Sequence, residues 1–193
     1  MATQNPESVM RVPARLCKSP TNLALPYPHG GTALGMIAQI SFKPNALYVD
    51  ITAEEFGGVL VDRIYAGEEP VLSCTLRGWD SDIISSAFPN TSLANRGDGR
   101  VSKDRKIRFE PDVAGLNYPG FLMSGVSFKL LVSPIANDFH PGVLFYNVAP
   151  AWDADAELVF KDGNELVLKI DFACLPDSTG RCYNIGKLID LSL

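Results

Sequence analysis

The stretch WDADAELVFKDGNELVLKIDFAC, Trp152 to Cys174, decides how this chain is read. From Trp152 to Phe160 the apolar residues Trp152, Ala154, Ala156, Leu158 and Phe160 alternate with Asp153, Asp155 and Glu157, the period of a half-buried strand. Leu166, Leu168, Ile170, Phe172 and Cys174 repeat the alternation, with Lys169 and Asp171 on the other face. Directly opposed residues in a hairpin share a face, so the turn decides whether the two apolar sets meet. A two-residue Asp162-Gly163 turn puts Phe160 opposite Glu165 and mixes core with solvent. A three-residue loop over Asp162, Gly163 and Asn164 pairs Phe160 with Leu166, Leu158 with Leu168 and Ala154 with Phe172. It also sets Lys161 against Glu165 and Glu157 against Lys169, and it leaves Asp155 opposite Asp171 with Asp153 nearby. Like charges directly opposed are unfavourable, so that end of the face is expected to meet something positive.

Working outward, other segments share the period of two. Leu34, Met36, Ala38 and Ile40 alternate, then Leu47, Val49 and Ile51, with Lys43-Pro44-Asn45 as the turn between them. Val59–Tyr65 and Val71–Leu76 read as two more strands, Phe121–Val132 as another with Leu122, Val126, Phe128, Leu130 and Val132 facing inward, and Cys182–Leu188 as the last. Gly142–Ala149 is apolar on both faces and reads as a central strand. The period changes only from Asp80 to Phe88, where Ile83, Ile84, Ala87 and Phe88 share a helical stripe behind an Asp80 or Ser81 cap. The fold expected is mainly β, an antiparallel barrel or sandwich with that one short helix. Residues 1–33, with five prolines and no apolar period, read as an extended arm outside the core. Residues 34–193 form a single β-barrel domain, and residues 90–120 form a long loop or arm inserted in it.

The chain has 193 residues, 46% of them hydrophobic and 20% charged, with a net charge of −5. That length buries a proper core, and the acidity argues against nucleic-acid binding through cationic contacts to phosphate. No window approaches a membrane span, and MATQNPESVM lacks the basic and apolar start of a secretory leader, so a cytoplasmic origin is expected. Cys17, Cys74, Cys174 and Cys182 are too few and too scattered for a disulfide framework. His29 and His140 each stand beside a proline, away from metal-ligand spacing. No nucleophile elbow, phosphate-binding glycine loop or zinc-protease signature occurs. Asp153, Asp155 and Asp171 are the nearest thing to a catalytic carboxylate pair or a Ca²⁺ site, yet they fall on a flat strand face without the ligand density either chemistry needs. No catalytic residue, metal or cofactor is assigned. The most basic run in this acidic chain is Lys103-Asp104-Arg105-Lys106-Ile107-Arg108, either a solvated loop or a partner-binding arm.

A β-rich chain with arms and no chemistry points toward assembly. Residues 57–89 read Gly57-Gly58, Val61-Asp62-Arg63-Ile64, Gly67-Glu68, Val71 to Leu76, then a helix ending Phe88-Pro89. This resembles the hairpin-plus-helix unit of the tail tube (major tail) proteins of long-tailed bacteriophages, with its D-R-I-x-x-G-E type turn. The later half is similar to the same family in His140-Pro141-Gly142-Val143-Leu144-Phe145-Tyr146-Asn147-Val148-Ala149, Phe160, Leu168 to Phe172, Leu175-Pro176-Asp177 and Gly186. The resemblance implies a non-enzymatic virion protein, made in the bacterial host cytoplasm, whose copies form a ring, expected to be a hexamer. Rings stack into a tube, meet other tail proteins and let double-stranded DNA pass without specific binding. A tail terminator or neck adaptor of the same fold is the nearest alternative, and a β-sandwich binding module a further one. A small barrel is filled by its own side chains, so a DNA-wide channel must come from the ring. On this reading Asp153, Asp155, Glu157 and Asp171 form an acidic face toward the lumen or an interface, and Lys103, Arg105, Lys106 and Arg108 form an inter-subunit arm.

Overall fold

The computed structural model describes residues 13–77, 86–87, 92–93, 107–108, 122–135, 140–151, 157–160 and 166–193. The strands are β1 (Ala14–Lys18), β2 (Thr32–Ala33), β3 (Met36–Lys43), β4 (Ala46–Ala53), β5 (Val59–Glu68), β6 (Val71–Arg77), β7 (Ser92–Leu93), β8 (Ile107–Arg108), β9 (Phe128–Pro134), β10 (Gly142–Ala151), β11 (Glu157–Phe160), β12 (Leu166–Leu175) and β13 (Tyr183–Gly186). All pairings are antiparallel, and nine strands form one sheet in the order β2-β1-β9-β10-β12-β6-β3, with β11 beside β12 and β13 beside β10. The fold is mainly β, as the alternation predicts. Of the helix expected over Asp80–Phe88 only Ser86 and Ala87 are described, and both are helical.

The register argued for the opening stretch holds where it is described: β11 meets β12 with Glu157↔Lys169, Leu158↔Leu168 and Phe160↔Leu166. The ladder position opposite Asp171 that the three-residue loop assigns to Asp155 is held by Ala151. Asp171 is paired with Ala151 and Phe172 with Pro150, because β10 runs on to Ala151 and takes that part of β12's edge first. Residues 152–156, with Asp153 and Asp155, lie outside the described residues.

Two further expectations are corrected. Residues 14–18 of the proposed arm are a strand between β2 and β9, and they bury Leu16 and Cys17 completely. Pro13 and Pro20 flank the stretch without interrupting its ladder, so proline content masked a short buried strand. Leu122 is 75% exposed, since a 3-10 turn over Met123–Val126, closed by the Gly125 amide on the Leu122 carbonyl, breaks the strand phase before β9 begins.

The sheet rolls on itself. Leu16 of β1 shares one buried cluster with Leu130 of β9, Phe145 and Val148 of β10, Phe172 and Ile170 of β12 and Leu72 of β6, while Ile40 and Phe42 of β3 pack against it. β1 and β3 close the roll without hydrogen bonds among the described residues, leaving an apolar cleft of about 530 Å³ lined by Pro13, Ala14, Ile37, Ile40, Phe42 and Val132. A second, smaller core lies on the outer face of β1, β9 and β10. There Cys17, Leu131, Leu144 and Tyr146 are covered by Leu23 and Tyr27 from one loop and by Leu188 and Leu191 from the C-terminal segment.

That loop is pinned by polar contacts. His29 is 2% exposed; its Nδ1–H donates to the Leu25 carbonyl at 2.8 Å, which fixes the tautomer, and its Nε2 accepts from Ser133 Oγ at 3.0 Å. Tyr27 Oη donates to the Leu16 carbonyl at 2.8 Å, and Cys17 Sγ to the Pro28 carbonyl at 2.7 Å.

Candidate assembly surface

β3 and β4 run end to end, and so do β5 and β6. The pairing Lys43↔Val71 at the rim of the body continues, with no slip in register, as Ala46↔Glu68 in the projecting pair. Lys43-Pro44-Asn45 is therefore a link within one long two-stranded ribbon, where the sequence suggests a turn between two strands. Pro44 has no N–H to offer a ladder. Asn45 bridges the gap in a left-handed conformation, φ 45°, with its carbonyl accepting from the Glu69 amide at 3.2 Å and its Nδ2 donating to the Glu69 carbonyl at 3.1 Å. Beyond this link, among the described residues, β4 and β5 pair only with each other. At roughly 3.3 Å per residue the overhang is about 25 Å long.

The D-R-I-x-x-G-E run lies along β5, where each polar member has a structural task. Asp62 Oδ1 accepts from the Arg63 amide at 2.7 Å, and Arg63 Nε meets Asp50 across the pair at 2.9 Å. Gly67, φ 123°, sits where the register shifts between Leu47 and Tyr48, a conformation that side-chain-bearing residues rarely adopt. Glu68 anchors the base of the ribbon: its Oε2 accepts from Tyr183 Oη at 3.0 Å. Desolvation, and then the hydrogen bond to Glu68, push the Tyr183 hydroxyl above its ordinary value. The run is thus a bulged strand, not a turn.

Between these polar contacts the ribbon is apolar and bare. Leu47, Tyr48, Val49 and Ile51 on β4 and Val59, Leu60, Val61, Ile64 and Tyr65 on β5 are each 41% to 62% exposed. Val49↔Ile64 occupy one face and Tyr48↔Tyr65 the other, so neither face is a solvent face. Isolated two-stranded hairpins are marginal in water and need packing to persist. Their joint exposure is on the order of the ~800 Å² that one partner contributes to a standard protein interface. At the tip, Gly57 and Gly58 take left-handed φ of 73° and 79° after a 3-10 turn that carries Glu54 and Glu55.

The expected acidic face looks different in the round. Asp171 lies beside Ser73 and, across it, Ser41; Lys169 lies beside Thr75 and, across it, Gln39. These residues, with Lys43, line a shallow polar trough of about 380 Å³ on the outer face of β3, β6 and β12. Glu157 falls beside Lys169. Among the described members of that face, the carboxylates alternate with lysines and hydroxyls. Of the basic arm, Lys103, Arg105 and Lys106 lie outside the described residues, and Arg108 pairs with Ser92 in the two-stranded β7–β8.

The sequence shows each strand of the ribbon but not its exposure. Near-continuous apolar residues on β4 and β5 read like a strand buried on both faces, and nothing local to the two strands separates that pattern from an exposed ribbon. The thiols offer little chemistry: burial pushes the Cys17 thiol up to about 11 and those of Cys74 and Cys174 to about 12. Among the described residues no three His, Cys, Asp or Glu side chains gather as a metal site, and no helix is long and apolar enough to cross a membrane.

No family model and no curated protein matches the chain. Solved structures do. The anti-feeding prophage cap (AFP tube terminating cap) aligns with a TM-score of 0.45 at 10% identity over 97% of this chain and 99% of that one. A chain of the extended sheath-tube complex of an extracellular contractile injection system (PVC) gives 0.45 at 6% identity over the same shares. A chain of the PVC sheath/tube terminator in the extended state gives 0.43 at 6% identity over 93% and 99%. All three likenesses are distant.

Proposed function

We propose that this chain is a non-enzymatic structural subunit of a phage-tail-like particle that closes into rings with copies of itself, as a tube subunit or as the ring that ends a tube. The observation that carries this is the β4–β5 ribbon, held in register by the body yet apolar and exposed on both faces. An element of that kind is built to be covered. A ribbon on one side of a subunit meets a different surface on the next, and such head-to-tail contacts close into rings or run on as filaments. The D-R-I-x-x-G-E run, which carries the sequence resemblance, lies within this ribbon.

In the same reading the ring is a hexamer, other tail proteins bind its faces, and the hydroxyl-rich trough of Ser41, Ser73 and Thr75 lines or borders the lumen. Double-stranded DNA passes a wall of mixed charge on an acidic protein without being held by it. Lys103, Arg105, Lys106 and Arg108 serve as the inter-subunit arm, with Asp153, Asp155, Glu157 and Asp171 as its counterpart or as lumen residues. Reversing the charge of Arg105 and Lys106 then weakens assembly.

Electron microscopy and sedimentation velocity of the purified protein test the proposal. Rings are expected; open-ended stacking marks a tube subunit, and rings that stay single mark a terminator. A protein that remains monomeric at every concentration and salt overturns it.

A further inference from the structure

We infer that the β4–β5 ribbon lands on a second copy of this chain, in the groove between the loop Leu23–His29 and the C-terminal turn Leu188–Asp190. The inference rests on the ring-forming reading and adds to it the place of contact. A head-to-tail contact between identical subunits requires two unlike surfaces on each copy. The ribbon is one. The other must be concave, apolar and also left open in the single chain.

The groove meets those conditions. It encloses about 580 Å³, with Leu23, Leu25 and Pro26 on one wall and Leu188 and Ile189 on the other. Leu25 is 46% exposed and Ile189 83%, so the apolar rim is as bare as the ribbon itself. Its shape is preformed, because His29 ties the loop wall to Ser133 and to the Leu25 carbonyl while Leu188 is buried in the core beneath. A preformed acceptor avoids the ordering cost of binding.

Charge gives the orientation. The ribbon's tip carries Glu54 and Glu55 with no basic residue in the same turn, and the groove is lined by Lys187, with Asp190 at the far end of the same C-terminal turn and outside the lining. Apolar strand against apolar wall, with the acidic tip beside Lys187, satisfies both ends of the contact. One copy does not satisfy itself, since ribbon and groove are both exposed in the same chain.

Three sets of variants test this by sedimentation velocity and electron microscopy, with circular dichroism confirming the fold. Val61→Asp, in the ribbon, and Ile189→Asp, in the groove, are each expected to abolish the assembled species. Lys187→Glu is expected to weaken assembly, and Glu54→Lys with Glu55→Lys to restore it in the Lys187→Glu background. In a Cys182→Ser background, an equimolar mixture of Glu55→Cys and Lys187→Cys copies is expected to give a cross-linked dimer with a short bis-maleimide, which neither gives alone. Assembly lost with Val61→Asp but intact with Ile189→Asp, and without the cross-link, hands the groove to another partner; it overturns this inference and leaves the ring-forming reading standing. Wild-type protein that never assembles overturns both.

Discussion

At the turn after β12 the carboxylate of Asp177 gathers its neighbours. Oδ1 accepts from the Thr179 amide at 2.8 Å, Thr179 Oγ1 at 2.7 Å and the Arg181 amide at 2.9 Å, while Oδ2 accepts from Arg181 Nε at 3.0 Å and its terminal nitrogen at 2.8 Å. The hydrogen bond from Thr179, then those from Arg181, hold this carboxyl well below the usual carboxylate range despite some desolvation. A depressed folded-state value means the contribution is present above the unfolded value near 4 and fades as pH falls toward the folded one. The Asp177 side-chain carboxyl carbon is therefore expected to show no NMR titration step near pH ~4, where ordinary aspartates protonate; a midpoint there would refute the arrangement. Asp177→Asn is expected to release Arg181 from the Tyr146 ring, which it covers at 4.3 Å, with the change seen in Tyr146 ring shifts.

The ribbon is the element on which sequence and structure diverge most usefully. Its strands and the β11–β12 register were legible because side-chain alternation and turn chemistry are local. That β3 pairs with β6, leaving β4 to continue outward, was not legible: Lys43-Pro44-Asn45 has the residues of a reversing turn, and only the ladder beyond it shows that the chain does not reverse. The exposure of Val49, Val61 and Ile64 was hidden for a different reason. Local pattern records that a residue is to be buried, not whether its own chain or another buries it. Likewise the Asp155–Asp171 opposition assumed one unbroken strand from Trp152 to Phe160, whereas β10 and β11 share the edge of β12 in two pieces. At the ribbon's base, Tyr183→Phe removes the hydroxyl bonded to Glu68 and keeps the ring packed on Phe42 at 4.8 Å. A loss of about 1 kcal/mol is expected. Hydrogen exchange should quicken in β4 and β5 and stay unchanged in β12; equal effects in both would show that Glu68 does not anchor the ribbon.

The whole molecule keeps its buried core and its exposed apolar surface on separate residues. Phe172 is fully buried at the centre of the roll, with its ring 5.9 Å from that of Phe128. Phe172→Ala is expected to cost about 3–5 kcal/mol of folding stability, read as a fall in the denaturant midpoint. Val61→Asp, at a position 62% exposed, is expected to leave the monomer's midpoint within about 0.5 kcal/mol of wild type. A large drop for Val61→Asp would mean that the ribbon packs on its own body.

The end-to-end run of both strands from ribbon into body also determines how the molecule carries load. A force applied at Gly57 runs down both strands of the ribbon and reaches β3 and β6 along their axes. β6 is bonded along its length to β12 through seven consecutive pairs, Val167↔Arg77 to Ala173↔Val71. Those bonds lie across the pull and must be sheared together, not unzipped one at a time. With handles at Gly57 and at Leu166, which load β6 at its Val71 end and β12 at its opposite end, single-molecule stretching is expected to show one high-force rupture, and a staircase of small steps would contradict it. A ribbon joined to the sheet in this way acts as a tie rod, passing an axial load at its tip straight into the β6–β12 ladder.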